Sequence, residues 1–217
     1  MNPHDVTWEL ERDLCAYTGA KYAVAVNSCT NAIQLALMWH RWISGPSIIE
    51  LPARTYVGVA HAVINAGHSL TFRDYEWCGA YELSPLPVWD AARRFTSNMC
   101  ISGAMWCVSF HISKILGVDQ GGAVLLDDHQ AAEFMRRARF DGRTVGVHPT
   151  QDLFREPAMH CYMSPNVAAQ IRWKLSFLPK HNGDLPNDDY PDLREHSWFQ
   201  NPLRQMRLSR RKSVENS

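Results

Sequence analysis

The chain carries no excess of either charge. Twenty-two Lys and Arg stand against 22 Asp and Glu, so there is no electrostatic case for nucleic acid as the main partner. It also lacks long apolar runs: stretches such as "YAVAV" fall far short of the ~20 residues that span a bilayer. The opening "MNPHDVTWELERD" has no basic region followed by an apolar stretch, so no secretory leader is expected and a cytoplasmic location is. The six cysteines, Cys15, Cys29, Cys78, Cys100, Cys107 and Cys161, include no CxxC and no framework spacing. Reduced thiols are expected, and neither a disulfide scaffold nor a zinc site. No internal repeat or low-complexity block is visible. What the chain does have is apolar and aromatic residues, 46% of the first kind with 8 Trp, 8 Phe and 7 Tyr, which is the composition of a globular protein. Its 217 residues can hold one good core, or a core with a small appendage.

Periodicity organises the first two-thirds of the sequence. "VTWELERDLCAYTG" (6–19) has apolar residues at helical spacing and ends at Gly19. "YAVAVNS" reads as a buried strand, and "CTNAIQLALMWHRWI" as a helix opening at Thr30. A strand over 47–52, a helix over 56–67 closed by Gly67 and a strand over 69–74 complete a βαβαβ run. Further strands are expected over 86–91, 105–110 and 121–126, a helix over 129–142, and a helix over 164–179 with Pro165 in its first turn. The alternation predicts an α/β fold with a mostly parallel sheet of about six strands covered by helices. Residues 1–163 are expected to form that domain, and 164–217 a residual helix and tail. The segment 143–160 reads as irregular, and Pro, Asn and Asp dominate after 180. The last stretch, "LRQMRLSRRKSVENS", has five Lys and Arg against one Glu and reads as a solvated tail.

In parallel α/β sheets, ligands sit outside the carboxyl ends of the strands, and those ends carry a chemically consistent group here. "NSCT" follows the first strand and leads into a helix, where free N–H groups and the helix dipole favour an anion such as phosphate. Ser28 or Thr30 serves equally well as a simple N-cap. Asp90 follows the "PVW" strand; it is either a salt-bridge partner of Arg93 or Arg94, or a carboxylate holding a protonated ligand nitrogen. The "WCVSF" strand is followed by Ser109, His111 and Lys114. A lysine on such a turn is ordinarily an exposed one. Beside a phosphate seat and a fixed carboxylate it suggests an amine that condenses with a carbonyl. Pyridoxal phosphate needs a phosphate cup, an acid at the ring nitrogen and a lysine for its aldehyde. Tyr56, after the second strand, adds an aromatic face for the ring.

The stretches "YTGAKYAVAVNSCTNAIQLAL", "WDAA", "SFHISKILGVDQGGAVL" and "YMSPNVAAQ" resemble, in that order through residues 6–179, the DegT/DnrJ/EryC1/StrS family of sugar aminotransferases, fold type I pyridoxal-phosphate enzymes. The resemblance implies that Lys114 binds the cofactor aldehyde, Asp90 pairs with the pyridine nitrogen, and Thr30 with the Cys29 backbone holds the phosphate. Ser109 would add a phosphate contact and Tyr56 would cover the ring. It further implies transfer of an amino group, usually from glutamate, to a keto-sugar carried on a nucleotide. The departures are specific. Between the third strand and "WDAA" only "YEWCGAYELSPL" stands where the family has another strand and helix, and the amino-terminal arm and most of the carboxyl-terminal domain have no counterpart. Arg93 stands where the family usually shows Gln or His, and His160 where it often has Asn. By the same resemblance the His160 position reaches across a dimer to the neighbouring cofactor phosphate.

Two other readings remain open at this point: a pyridoxal-phosphate enzyme acting on a non-sugar substrate, and a non-catalytic remnant serving as a binding or dimerisation module. The family's sugar dehydratases carry His in place of the lysine, so Lys114 argues against that chemistry. A homodimer with shared active sites is expected. The first helix, with Trp8 and Leu10, and the 164–179 helix, with Trp173, Leu175 and Phe177, bring more apolar surface than one small sheet covers.

Overall fold

The computed structural model describes residues 4–187 and 189–200. The basic stretch 203–217 lies outside the described residues. The centre of the fold is a five-stranded sheet made of β1 (Tyr22–Val26), β4 (Tyr81–Glu82), β5 (Val88–Asp90), β6 (Met105–Ser109) and β7 (Gly122–Leu126), in the order β1-β7-β6-β5-β4. β2 (Ile48–Pro52) and β3 (Ser69–Arg73) form a separate parallel pair. That pair touches the main sheet where Glu50 N–H donates to the Ser84 carbonyl at 2.8 Å.

The expected mostly parallel sheet is therefore corrected to a mixed one. In the main sheet only β5 and β6 run parallel; β1–β7, β6–β7 and β4–β5 are antiparallel. The physical reason is the connection between β6 and β7. It holds only residues 110–121 and no helix, so the chain can return only alongside and in the opposite direction. β1, instead of pairing with β2, takes β7 as its neighbour, and the βαβ unit closes on β2 and β3 by themselves. β4 was not anticipated, because two residues give no readable alternation.

Both faces of the main sheet are covered, and the side chains divide strictly by the strand period of two. Ala23, Ala25, Trp106, Val108, Ala123 and Leu125 face α1 (Asp5–Thr18) and α5 (Pro165–Leu175). Val24, Val26, Cys107, Val124 and Leu126 face α2 (Cys29–Ser44), α3 (Val57–Asn65) and α4 (His129–Ala138). Burial on both faces explains why these strands read as continuous apolar runs. α1 and α5 pack on each other, and Leu10 and Leu175, at 0% and 8% exposure, are spent on that contact. Trp8, Trp173 and Phe177 do remain exposed. Arg172 of α5 binds Glu9 and Asp13 of α1 and fixes the crossing. All six cysteines are free. No helix of the described residues is long and apolar enough to cross a membrane.

Candidate active site

α2 begins one residue earlier than its pattern suggested. The Ser28 hydroxyl accepts the Asn31 N–H at 3.1 Å and caps the helix, so the N-cap reading of Ser28 holds, while Thr30 stands in the first turn. The start of α2 is pressed against β7 through Gly122. A Cβ there would lie 2.5 Å from the Cys29 nitrogen, so only glycine permits this approach. The hairpin that carries Lys114 is thereby locked to the helix terminus.

Lys114 lies on the turn between β6 and β7. Its N–H donates to the His111 carbonyl at 2.8 Å and its own carbonyl accepts the Gly117 N–H at 2.9 Å. Gly117 is pinned from outside by Lys174 of α5, whose ammonium donates to its carbonyl. A Cβ at Gly117 would meet the Ile112 carbonyl oxygen at 2.3 Å, so the turn closes tightly behind the lysine.

Asp90 ends β5 and is 4% exposed. It faces Tyr81 across the β4–β5 ladder. The Tyr81 phenol donates to Oδ2 at 3.0 Å and the Ala92 N–H donates to Oδ1 at 3.0 Å. Because the single Tyr81 hydrogen goes to Asp90, the Thr55 hydroxyl 2.7 Å away must donate to the Tyr81 oxygen. Thr55, Tyr81 and Asp90 thus form one directed chain of hydrogen bonds ending on the carboxylate. Neither of the two arginines considered for it forms a direct ion pair with Asp90: Arg94 is forked onto Asp184 at 3.0 and 2.5 Å, and Arg93 reaches the Pro186 carbonyl.

These pieces open onto one cleft of about 420 Å³. Of the residues singled out from sequence, Ser28, Cys29, Thr30, Tyr56, Asp90, Arg93, Ser109 and Lys114 line it. His160 does not: it is exposed, and its Nδ1 lies 2.7 Å from an Asp141 carboxylate oxygen. Sequence reasoning missed Thr55, Tyr81, Trp77 and Tyr190. Tyr81 lies in a two-residue strand, and Tyr190 in the unpatterned "LPNDDYPDL", so neither had a periodic signal. His111, noted beside the lysine, and Gln120 also line the cleft.

The electrostatics differ from those of a solvated surface. Burial pushes the Lys114 amine below its ordinary pKa, the Arg93 guanidinium pushes it further down, and Asp90 pulls it back. Burial pushes the Asp90 carboxyl up, against the Ala92 N–H, the Tyr81 phenol and the charge on Lys114. The Cys29 thiol is pushed well up by burial and by Asp90, so it stays protonated and donates to the Cys107 carbonyl at 3.3 Å. The cleft thus offers a helix terminus for an anion, a buried carboxylate that gains from a cationic partner, and an amine predisposed to lose its proton. No group of His, Cys, Asp and Glu that could hold a metal ion occurs among the described residues.

Comparison with known proteins bears on what this cleft serves. The sequence model of the DegT/DnrJ/EryC1/StrS aminotransferase family matches residues 4–96. The spore coat polysaccharide biosynthesis protein SpsC of Bacillus subtilis is 38% identical over 68 residues, which are 31% of this chain and 17% of SpsC. Among solved structures, a DegT DnrJ EryC1 StrS aminotransferase from Brucella abortus superposes with a TM-score of 0.66 at 20% identity, over 80% of this chain and 59% of that one. AtS13 from Actinomadura melliaura gives a TM-score of 0.69 at 18% identity, over 80% and 60%. These likenesses establish the fold, and the chain spans about three-fifths of the length of the solved chains. The family match stops before Lys114; the structural match extends past it.

Proposed function

We propose that this chain, a partial member of the DegT/DnrJ/EryC1/StrS aminotransferase family through residues 4–96, binds pyridoxal 5′-phosphate in the cleft and transfers an amino group from an amino acid, glutamate being the expected donor, to a keto-sugar nucleotide. The observation that carries this reading is the convergence on one cleft of the α2 terminus, the buried Asp90 and the half-buried Lys114, which meet the three needs of that cofactor. The donor set fits it: N–H groups and Thr30 for the phosphate, Asp90 for the ring nitrogen, Lys114 for the aldehyde, Ser109 beside the phosphate and Tyr56 over the ring. A protein of the same fold from Streptococcus pneumoniae, described as a sugar aminotransferase, has been solved in PLP- and PMP-forms. SpsC, by its name, serves polysaccharide biosynthesis, which supports a sugar as acceptor.

When bound, the cofactor would supply the electron sink that makes the donor α-carbon acidic. The rest falls to the chain. Asp90, whose ionised form the Tyr81 and Ala92 hydrogens favour against burial, would hold the ring nitrogen in its protonated form. Lys114, with its basicity lowered by burial, would be the base that takes the proton from the donor α-carbon and holds it as an ammonium. The same base, run in reverse, would serve the keto acceptor. The phosphate seat fixes position and carries no proton.

The test is to incubate the purified protein with pyridoxal phosphate, reduce with borohydride and map the adduct by mass spectrometry. A stable adduct on Lys114 is expected. An adduct on Lys21, Lys174 or Lys180, or none, overturns the assignment. Turnover with glutamate and a panel of keto-sugar nucleotides then separates a transaminase from a chain that binds cofactor without catalysis.

A further inference from the structure

Residues 182–187 and 189–193 run as a strap along one wall of the cleft. Asn182 donates to the Tyr17 phenol at 2.8 Å and to the Phe95 carbonyl at 3.1 Å. Asp184 sits over Gly79 and is forked onto Arg94. The Leu185 N–H donates to the Arg93 carbonyl at 2.9 Å, and the Leu193 N–H donates to the Ala53 carbonyl at 2.9 Å. Between these anchors the strap delivers Tyr190 into the cleft, 6.4 Å ring to ring from Tyr56.

One side chain serves both the strap and the floor of the cleft. Arg93 is 6% exposed and lines the same cleft as Lys114. Its Nη1 donates to the Pro186 carbonyl, and its guanidinium hydrogen-bonds the Tyr190 phenol. We propose that Arg93 is a positioning residue of this site: a single guanidinium both moors the strap that walls the cleft and places a fixed positive charge beside Lys114. This rests on Lys114 being the reacting amine.

Burial and Arg93 favour the neutral form of this amine, whereas Asp90 from β5 favours the protonated one, and the Cys29 thiol of α2 is neutral beside them. His111, Tyr56 and Tyr190 face the same cleft. With a buried carboxylate so near, a second buried cation offsets Asp90 and keeps Lys114 from being held as a permanent ammonium. The planar guanidinium suits the double task, since it donates in two directions while staying charged at any working pH. A lysine would keep the charge but, as a point donor, would not hold both acceptors. A glutamine would lose the charge.

The experiment uses the full chain without added cofactor, so it does not depend on turnover. Competitive acetylation at a series of pH values, read by mass spectrometry, gives the midpoint at which Lys114 becomes reactive. Amide hydrogen exchange over 183–193 reports the strap. In R93Q the Lys114 midpoint should rise by about one pH unit, the size of effect a removed neighbouring cation gives, and strap exchange should quicken severalfold. R93K should restore the midpoint but not the strap. Tyr190→Phe should quicken strap exchange and leave the midpoint in place. Unchanged exchange across β6 in each variant certifies the fold. If R93Q does not fold, R93K and Tyr190→Phe decide: a Lys114 midpoint displaced in R93K, or an unaltered strap in both, overturns the proposal. So does an unmoved Lys114 midpoint in a folded R93Q. Failure of the aminotransferase reading appears separately, as absence of the borohydride-trapped Lys114 adduct.

Discussion

Asp90 is an acid in a place that penalises charge, and its neighbours decide what it can do. Replacing it by Asn would remove the negative partner proposed for a ring nitrogen while keeping shape and most hydrogen bonds. Asp90→Asn should retain the fold by circular dichroism and slow amino transfer by about two orders of magnitude, in line with losing one preorganised electrostatic partner in a dry site. Turnover equal to the parent's would make Asp90 structural. Tyr81→Phe probes the same group more gently. The Tyr81 hydrogen bond holds the Asp90 carboxyl down against burial, so its loss lets the carboxyl rise further. The ionised form is then lost at a higher pH as pH falls, and the acid limb of the activity profile should move upward. An unmoved limb would mean that Tyr81 does not tune the acid. Thr30, Asp90, Ser109 and Lys114 were legible in sequence because each ends or shortly follows a clear apolar strand or stands in the first turn of a helix. Thr55, Tyr81 and Tyr190 were not, since hydrogen-bond chains and straps leave no periodic trace.

At the level of elements, the outer edge of β1 has only a single antiparallel bridge, Val26 to Tyr162, and side chains finish the rest. Glu11 of α1, 4% exposed, accepts the Ala25 N–H at 3.0 Å, while Arg139 donates to the Ala25 carbonyl at 2.7 Å and to Glu11. Arg136 adds a longer contact to Glu11 at 3.4 Å. Glu11→Ala leaves a buried guanidinium and a strand N–H without this partner, and should cost about 3–5 kcal/mol in urea unfolding. Glu11→Gln, which keeps an acceptor, should cost less; equal losses would contradict the charge argument. His68 gives a pH signature in the same way. Its Nδ1 accepts the Ser47 N–H at 3.0 Å, so Nε2 must carry the hydrogen donated to the Leu37 carbonyl at 3.0 Å. Burial depresses its pKa in the fold. The unfolded chain therefore binds the proton first, and the stability it contributes, complete above about pH 6.5, declines as pH falls below that value. A His68→Asn variant should flatten this part of the stability profile; an identical profile would rule His68 out as its source. The helices were readable from pattern and caps, and the strands from their apolar runs. Strand partners were not, because two-sided burial makes parallel and antiparallel strands read alike.

At the scale of the whole molecule, Trp8, Trp173 and Phe177 stay exposed at 40%, 66% and 73%. Apolar surface of that kind is expected to meet a second copy, and sedimentation should show a dimer at micromolar concentration; a stable monomer would count against it. His160, outside its own cleft and beside Asp141, is the residue expected to act across that interface. Mixing a Lys114→Ala chain with a His160→Ala chain, each inactive alone, should restore activity if His160 serves the neighbouring site. A mixture that stays dead places it in cis, and a fully active His160→Ala chain removes it from the site. The cleft itself has a temporal consequence. Its walls come from residues 28–30, 90–93, 109–114 and 190, brought together only when β5, β6 and β7 have all taken their places. Contacts so distant along the chain form late in folding. A nascent chain still on the ribosome before residue 190 emerges would lack one wall of the cleft. Capture of the proposed cofactor would therefore mark the end of assembly, and its binding energy would accrue to the finished molecule alone.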